Sequence, residues 1–115
     1  MQQIERPVID LGVFSIFGES AGQVFGIFLT ENEESYDSLR LAIGINDLAG
    51  VKRFSHKMAG SAKVVRAEKL AMVAAKLETA AEEGNQFVQS LFEELTAAYG
   101  EVRSLIVDLR QDGAA

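Results

Sequence analysis

The fold of this chain is decided by residues 44–65, which read GINDLAGVKRFSHKMAGSAKVV. Gly44 suits the end of one helix, and Asn46 or Asp47 is a good N-cap for the next. Apolar residues then follow at spacings of three and four, the period of an amphipathic α-helix: Leu48, Val51, Phe54, Met58, Ala62 and Val65. The sequence therefore predicts a helix with one buried stripe, which neighbouring elements must cover.

Three further segments show the same period, over residues 19–43, 70–83 and 87–109. Gly84 suits the end of the third helix, and Asn85 can cap the fourth. The break between residues 62 and 70 contains neither Gly nor Pro and is the weakest signal. The apolar stretch VIDLGVFSIF (8–17) fits a short helix or a strand, and we favour the helix because only helical periods follow it.

Four long amphipathic helices with short connections predict an all-α fold: an antiparallel up-down four-helix bundle with a short extra N-terminal helix. We expect one domain over residues 8–111, with flexible ends at 1–7 and 112–115. A chain of 115 residues is long enough to bury a core of its own.

The composition argues against several functional classes. Acidic residues number 17 and basic residues 11, a net charge of −6 that is unfavourable for binding nucleic acid. No apolar run approaches the roughly 20 residues that cross a bilayer, and the first residues do not resemble a signal peptide. Without Cys, neither a disulfide nor a Cys-ligated metal site can form. We expect a cytoplasmic, monomeric domain with no membrane contact and no metal or cofactor of its own.

His56 is the only histidine, and the helical phase directs it away from the buried stripe. At about 100° per residue, the stripe lies roughly 160–240° from His56, so we expect its side chain to face water. Within about 60° of it lie three cations and two small residues: Lys52, Arg53, Lys63, Ala59 and Gly60. This pattern predicts an exposed imidazole, with cations beside it and a clear surface for an approaching protein.

The basic residues are concentrated around this histidine. Residues 52–69 hold six of the eleven, with Glu68 as the one acid. A positive patch on an acidic body suits a small anion or an acidic partner, and a phosphoryl group carries roughly 1.5 to 2 negative charges at neutral pH. A structural interpretation stays open at this point, because a lone surface histidine usually has no function, a basic helix face is usually just hydrated, and Gly60 could serve helix packing.

The stretch HKMAGSAKVVRAEKL (56–70) resembles the signature of histidine phosphotransfer domains, usually called HPt domains. Their pattern is roughly His-x-Leu-Lys-Gly-Ser-Ser/Ala-x-x-x-Gly-Ala. His56 matches the phosphoacceptor, and Met58 replaces the Leu conservatively. Gly60, Ser61, Ala62 and Ala67 match the small residues. The flanking stretches GINDLAGVKRFSH and KLETAAEEGN are also similar to the family, so the resemblance runs from about Val8 to Leu109.

Three positions depart from that pattern. Ala59 stands where the family usually has a Lys that helps to hold the phosphoryl group, and Lys63, Lys52 or Arg53 could take over that role geometrically. Arg66 stands where a Gly commonly opens the turn into the next helix, and Val64 stands where a polar residue is frequent. The last two departures suggest a different turn between the helices, and they leave the phosphoacceptor in place.

The resemblance implies a phosphorelay intermediate. His56 would accept a phosphoryl group from the aspartate of a receiver domain and pass it to the aspartate of another, and the receivers would supply Mg²⁺. A neutral imidazole is a competent nucleophile, and this state is common near neutral pH. We expect no autonomous kinase activity.

Other functions fit the sequence less well. A non-catalytic helical adaptor could bind a receiver or kinase domain without phosphorylation, and Ala59 in place of Lys favours it. An autonomous enzyme lacks support: no Walker-type loop is present, and GESAG (18–22) matches Gly-x-Ser-x-Gly without the strand-to-helix elbow that this motif needs. The dimerisation domain of a histidine kinase usually has an acid after its histidine, where this chain has Lys57.

Overall fold

A computed structural model describes residues 8–10, 12 and 17–114, with side chains up to residue 109. It contains four long helices: α1 (Ala21–Gly44), α2 (Leu48–Val64), α3 (Glu68–Glu83) and α4 (Val88–Ala114). A single 3-10 turn, Gly18–Ser20, precedes α1. Short turns connect successive helices, which therefore run antiparallel, and no strand occurs among the described residues. The prediction of an all-α, up-down four-helix bundle is confirmed.

The α1–α2 and α2–α3 turns each contain one residue in the left-handed region. Asn46 has a φ of 56° and suits it, because Asn tolerates this conformation better than most side chains. Arg66 has a φ of 59° between α2 and α3, where the HPt pattern has Gly. The backbone of Arg66 therefore bears a strain that Gly would avoid in this conformation.

The N-terminal segment packs against that strained turn. The Asp10 backbone N–H donates to the Arg66 carbonyl at 3.0 Å, and the Asp10 carboxylate lies 3.5 Å from the Arg66 guanidinium. Ile9 is buried in the core. The predicted helix over 8–17 lies largely outside the described residues, and Val8–Asp10 and Gly12 form a bend and a turn instead. Residues 1–7 lie outside the described residues too, and α4 continues past residue 111 to Ala114.

The core is built from the stripes that the helical period predicts. Its largest fully buried side chains come from all four helices, the α2–α3 turn and the N-terminal segment: Phe25, Ile9, Leu39, Met58, Leu70, Leu77, Leu95, Ile106, Val51, Val65 and Val102. Phe54 was predicted to join them and is only partly buried, with the Arg53 guanidinium 4.8 Å above its ring. Gly100 lies within α4 and does not interrupt it.

An aromatic seam joins the first and last helices. The Tyr36 ring stacks on Phe92 and Tyr99, with centroids 5.8 and 5.3 Å away, and its hydroxyl shares a 2.9 Å hydrogen bond with Thr96. Burial, together with the nearby Glu33 carboxylate, raises the pKa of Tyr99 to about 12. The phenol therefore stays neutral at physiological pH.

Among the described helices, none is long and apolar enough to span a bilayer.

The entry into α2 depends on Asp47 and Gly50. The Asp47 carboxylate caps the helix by accepting from the Gly50 backbone N–H at 3.0 Å. A Cβ at position 50 would lie 2.6 Å from the other Asp47 carboxylate oxygen and 3.1 Å from the Ala42 methyl group. Gly50 is therefore required by close packing, although Gly normally weakens a helix.

We predict that Gly50→Ala lowers the free energy of unfolding, because the new methyl group displaces the Asp47 cap, which is worth about 1 kcal/mol. The matched control is Gly100→Ala in α4, where a Cβ meets nothing within 4 Å. That change should raise stability by up to about 1 kcal/mol. Urea denaturation followed by circular dichroism measures both, and equal stabilisation by the two substitutions would contradict this packing.

Candidate functional site

His56 lies in the middle of α2 and projects into solvent, with 72% of its side chain exposed. The opposite side of the helix holds Val51, Met58 and Ala62, which are fully buried. This is the orientation that the helical phase predicts, and it leaves the imidazole open to a large partner.

The charged group in contact with the imidazole is a carboxylate from the next helix. Glu78 Oε2 lies 2.9 Å from His56 Nδ1, and three quarters of the Glu78 side chain is covered. An ionised carboxylate only accepts hydrogen bonds, so this contact places a proton on Nδ1. In the neutral ring the lone pair then lies on Nε2, which makes Nε2 the nucleophilic atom.

Glu78 was not predicted from the sequence. The signal that could have found it is the hairpin between α2 and α3, because His56 and Glu78 lie at similar distances on either side of Arg66. Antiparallel helices bring such positions together. The next pair in the same ladder is Lys52 with Glu82, joined at 3.3 Å one turn away.

The three cations predicted around His56 have different surroundings. Lys52 is paired with Glu82, and Arg53 lies over the Phe54 ring. Lys63 is exposed and lines a shallow pocket with Arg66. No ion pair or hydrogen bond connects the imidazole to Lys52, Arg53 or Lys63, so the immediate neighbour of the ring is acidic, although the surrounding α2 surface is basic.

The two small residues beside His56 have different environments. Gly60 is exposed, and a Cβ built on it meets nothing within 4 Å, so the surface next to the ring is clear. Ala59 was expected on the same open surface, but it is only 5% exposed and belongs to the core. Ala59 is buried because α3 packs along this flank of α2. The Lys52–Glu82 and His56–Glu78 contacts join the same two helices.

A buried hydrogen-bond network fixes α2 against α1 one turn beyond the histidine. The Asn32 amide is fully buried and donates to the Ser61 hydroxyl at 2.8 Å and to the Phe28 carbonyl at 2.9 Å. Ser61 in turn donates to the Lys57 carbonyl at 3.2 Å. Asn32 lies in the polar stretch ENEES (31–35), and its burial was therefore not predicted from the sequence. It nevertheless continues the helical stripe of Phe28 and Leu39.

The site contains no arrangement for binding a metal ion. In the part of the chain that the structure describes, no three His, Asp or Glu side chains come close enough to hold one. What the geometry offers is a single solvent-facing nitrogen nucleophile, a carboxylate that orients it, and a clear surface beside it.

The comparisons with known proteins agree with this geometry. The chain is similar to histidine-containing phosphotransfer protein B from Pseudomonas aeruginosa PAO1, a crystal structure, with a TM-score of 0.85 and 24% sequence identity. The similarity covers 94% of this chain and 98% of the other, and it shows a shared fold. No curated protein sequence matches the chain.

The model of the Hpt domain family matches residues 23–111, which include all of α2 and α3 and most of α1 and α4. The chain therefore belongs to the Hpt domain family, the histidine phosphotransfer intermediates of phosphorelays.

Proposed function

We propose that His56 is the residue that carries the phosphoryl group between receiver domains. Nε2 attacks the phosphorus of an aspartyl phosphate, so that an N–P bond forms while the acyl phosphate P–O bond breaks. The aspartate carboxylate of the donor leaves. Onward transfer is the reverse displacement on a second receiver. The observation that carries the proposal is the exposed imidazole whose Nδ1 is held by Glu78, since this leaves Nε2 facing solvent as the nucleophile.

Glu78 acts as a positioning residue in this mechanism. It keeps the proton on Nδ1 and limits rotation of the ring. When Nε2 gains the phosphoryl group, the ring acquires positive charge, which the carboxylate 2.9 Å away stabilises. No proton has to leave the ring during either transfer step, so each step is a displacement at phosphorus alone.

We assign the electrostatic support of the phosphoryl group to Lys63. Side chains on a helix lean towards its N-terminus, so Lys63, two turns after His56, leans back over Gly60 towards the ring. Lys52 and Arg53 precede His56 and lean away from it, and both have other contacts. Gly60 has no side chain to block the approach of Lys63 or of a partner.

The partners in this proposal are receiver domains, which provide the aspartate and the Mg²⁺ that shields the phosphoryl charge. We further propose that the domain works as a monomer in the cytoplasm and does not bind nucleic acid; the lack of Cys and the net charge of −6 support this. The second candidate is an adaptor that binds a receiver without phosphorylation, favoured by Ala59 in place of the usual Lys.

Phosphate labelling tests whether His56 is the phosphoacceptor. Incubation with a panel of phosphorylated receivers should label the wild-type domain with phosphate that is labile to acid and stable to alkali, as expected for phosphohistidine. His56→Gln should abolish labelling while the circular dichroism spectrum stays unchanged. Labelling that persists in the mutant would exclude His56, and a folded wild-type domain that no receiver labels would favour the adaptor.

The role of Glu78 is tested through the tautomer of His56. Glu78→Ala should remove the preference for the Nδ1–H tautomer and slow phosphotransfer on the order of tenfold, the scale of the loss when a metal-bound histidine loses its orienting partner. Nitrogen-15 chemical shifts of the labelled imidazole report the tautomer. Glu82→Ala is the matched control, because it removes a carboxylate one turn away that binds Lys52. An unchanged tautomer in Glu78→Ala would contradict the assigned role.

The clear surface beside the ring is tested by placing a side chain on it. Gly60→Leu should reduce phosphotransfer by about tenfold or more, because its side chain blocks in-line approach of the receiver aspartate. Gly100→Leu is the matched control, since it is also an exposed helical glycine with open space around it, but on α4. Equal transfer rates for the two variants would mean that the receiver does not approach over Gly60.

A further inference from the structure

A groove between α1 and α2 runs along the flank of α2 that α3 does not cover. We call it the α1–α2 groove; its volume is about 700 Å³. Its α2 wall is formed by Phe54, Lys57 and Ser61, and its α1 wall is largely acidic. At about 100° per residue, the three α2 residues lie roughly 100–160° around the helix from His56. The groove therefore faces a different side of α2 from the imidazole.

The rim of the α1–α2 groove is apolar at both ends. Three of its α1 residues, Ile27, Leu41 and Ile45, continue the stripe of Glu31 and Glu34 at spacings of three and four. On α2, Val64 follows Ser61 by one turn. Each of these apolar side chains is more than half exposed, and together they are four of the six exposed large apolar side chains in the described part of the chain. Such grouping is typical of interaction surfaces.

The middle of the α1–α2 groove is acidic. Glu31, Glu34 and Asp37 line it, and no ion pair among the described residues neutralises any of the three. Glu33, their neighbour in sequence, is instead bound to an arginine of α4 at 3.0 Å. Lys57 is the one base among the described residues that line the groove. Carboxylates are therefore in excess, and a concave surface lined by one sign of charge attracts the opposite sign.

Charge argues against two other occupants of the α1–α2 groove. In a two-fold contact between copies of this chain, the same acidic residues would face each other. A receiver presents carboxylates that bind Mg²⁺ around its aspartate, so the acidic middle of the groove would repel it. A cationic ligand with apolar ends matches both the middle and the rim.

We propose that the α1–α2 groove seats one basic amphipathic helix of a partner protein that is not a receiver. The middle of this helix carries Lys or Arg against Glu31, Glu34 and Asp37, and apolar side chains at its two ends pack on the rim. Ile27 and Leu41 are separated by about 21 Å along α1, so the apolar ends of the partner helix lie about four turns apart.

The proposal goes beyond the phosphotransfer function and does not depend on it. Because the groove and the imidazole face different sides of α2, the partner helix stays bound while a receiver covers His56. The domain thereby has a second docking surface, which brings a further protein to the phosphotransfer site without blocking it.

The probe for this surface is a synthetic helical peptide of about twenty residues, with leucines at both ends of one face and lysines between them. Fluorescence anisotropy measures its Kd, and nitrogen-15 chemical shifts of the domain locate it. We expect shift changes at the groove residues of α1 and α2, and binding about tenfold weaker or less when glutamates replace the lysines. No binding by the lysine peptide, equal binding by the two peptides, or shift changes confined to α3 and α4 would overturn the proposal.

The acidic middle is tested by charge reversal. Glu34→Lys should raise the Kd of the lysine peptide about tenfold at low ionic strength and much less in 1 M salt, where charges are screened within about 3 Å. Glu94→Lys is the matched control, because it makes the same charge change on the exposed surface of α4. Equal Kd values for the two variants would mean that net charge, and not the groove, attracts the peptide.

The apolar rim is tested separately. Leu41→Ser should raise Kd by about tenfold, the scale of the loss when one apolar anchor is removed from an interface. Phe87→Ser is the matched control, since Phe87 is also more than half exposed but lies just before α4. Circular dichroism checks that both variants fold. A Leu41→Ser domain that binds as tightly as Phe87→Ser would contradict the assigned rim.

Two further measurements identify the occupant. Sedimentation should show a wild-type monomer; a dimer that Leu41→Ser dissociates would assign the groove to a second copy of the chain and overturn the proposal. The receiver that labels the domain should bind equally well when the peptide saturates the groove, and displacement of the peptide by the receiver would also overturn it. Failure of every receiver to label His56 would instead contradict the phosphotransfer function and leave the peptide result intact.

Discussion

The close antiparallel contact between α2 and α3 is the constraint on which the site depends. Small residues on both helices, Ala59 among them, lie in the core between them and let the helices approach. That approach brings the Glu78 carboxylate within 2.9 Å of His56 Nδ1 while the rest of the imidazole stays in water. An exposed histidine on an isolated helix would rotate freely and exchange tautomers. Here the neighbouring helix holds one nitrogen and leaves the other available.

The register of this contact is set by the turn between α2 and α3, where Arg66 adopts a left-handed conformation. A non-glycine residue in this region costs free energy on the order of 1 kcal/mol. The Asp10 backbone and carboxylate both contact Arg66, so the N-terminal segment contributes to holding the turn. The Arg66 side chain also lines a shallow pocket together with Lys63.

Features that depend on one helix could be predicted from the sequence, and features that depend on two could not. The four helices, the Asp47 cap and the outward direction of His56 all follow from local period and capping chemistry. Glu78 was missed because its contact requires the register of a hairpin whose turn contains no Gly or Pro. Ala59 was misplaced for a related reason, since the sequence does not say which flank of α2 another helix covers. The burial of Asn32 was not predicted, because a polar residue in a sequence looks the same whether it is buried or exposed.

The central claim is that Nε2 of His56 is the atom that receives the phosphoryl group, with the proton held on Nδ1 by Glu78. Heteronuclear NMR of the phosphorylated domain, labelled with nitrogen-15 in histidine, tests it most directly, because phosphorus couples to the nitrogen that bears it. We expect the coupling on Nε2, with Nδ1 still protonated. Coupling on Nδ1, or phosphate on a hydroxyl-bearing side chain with an unmodified imidazole, would contradict the account.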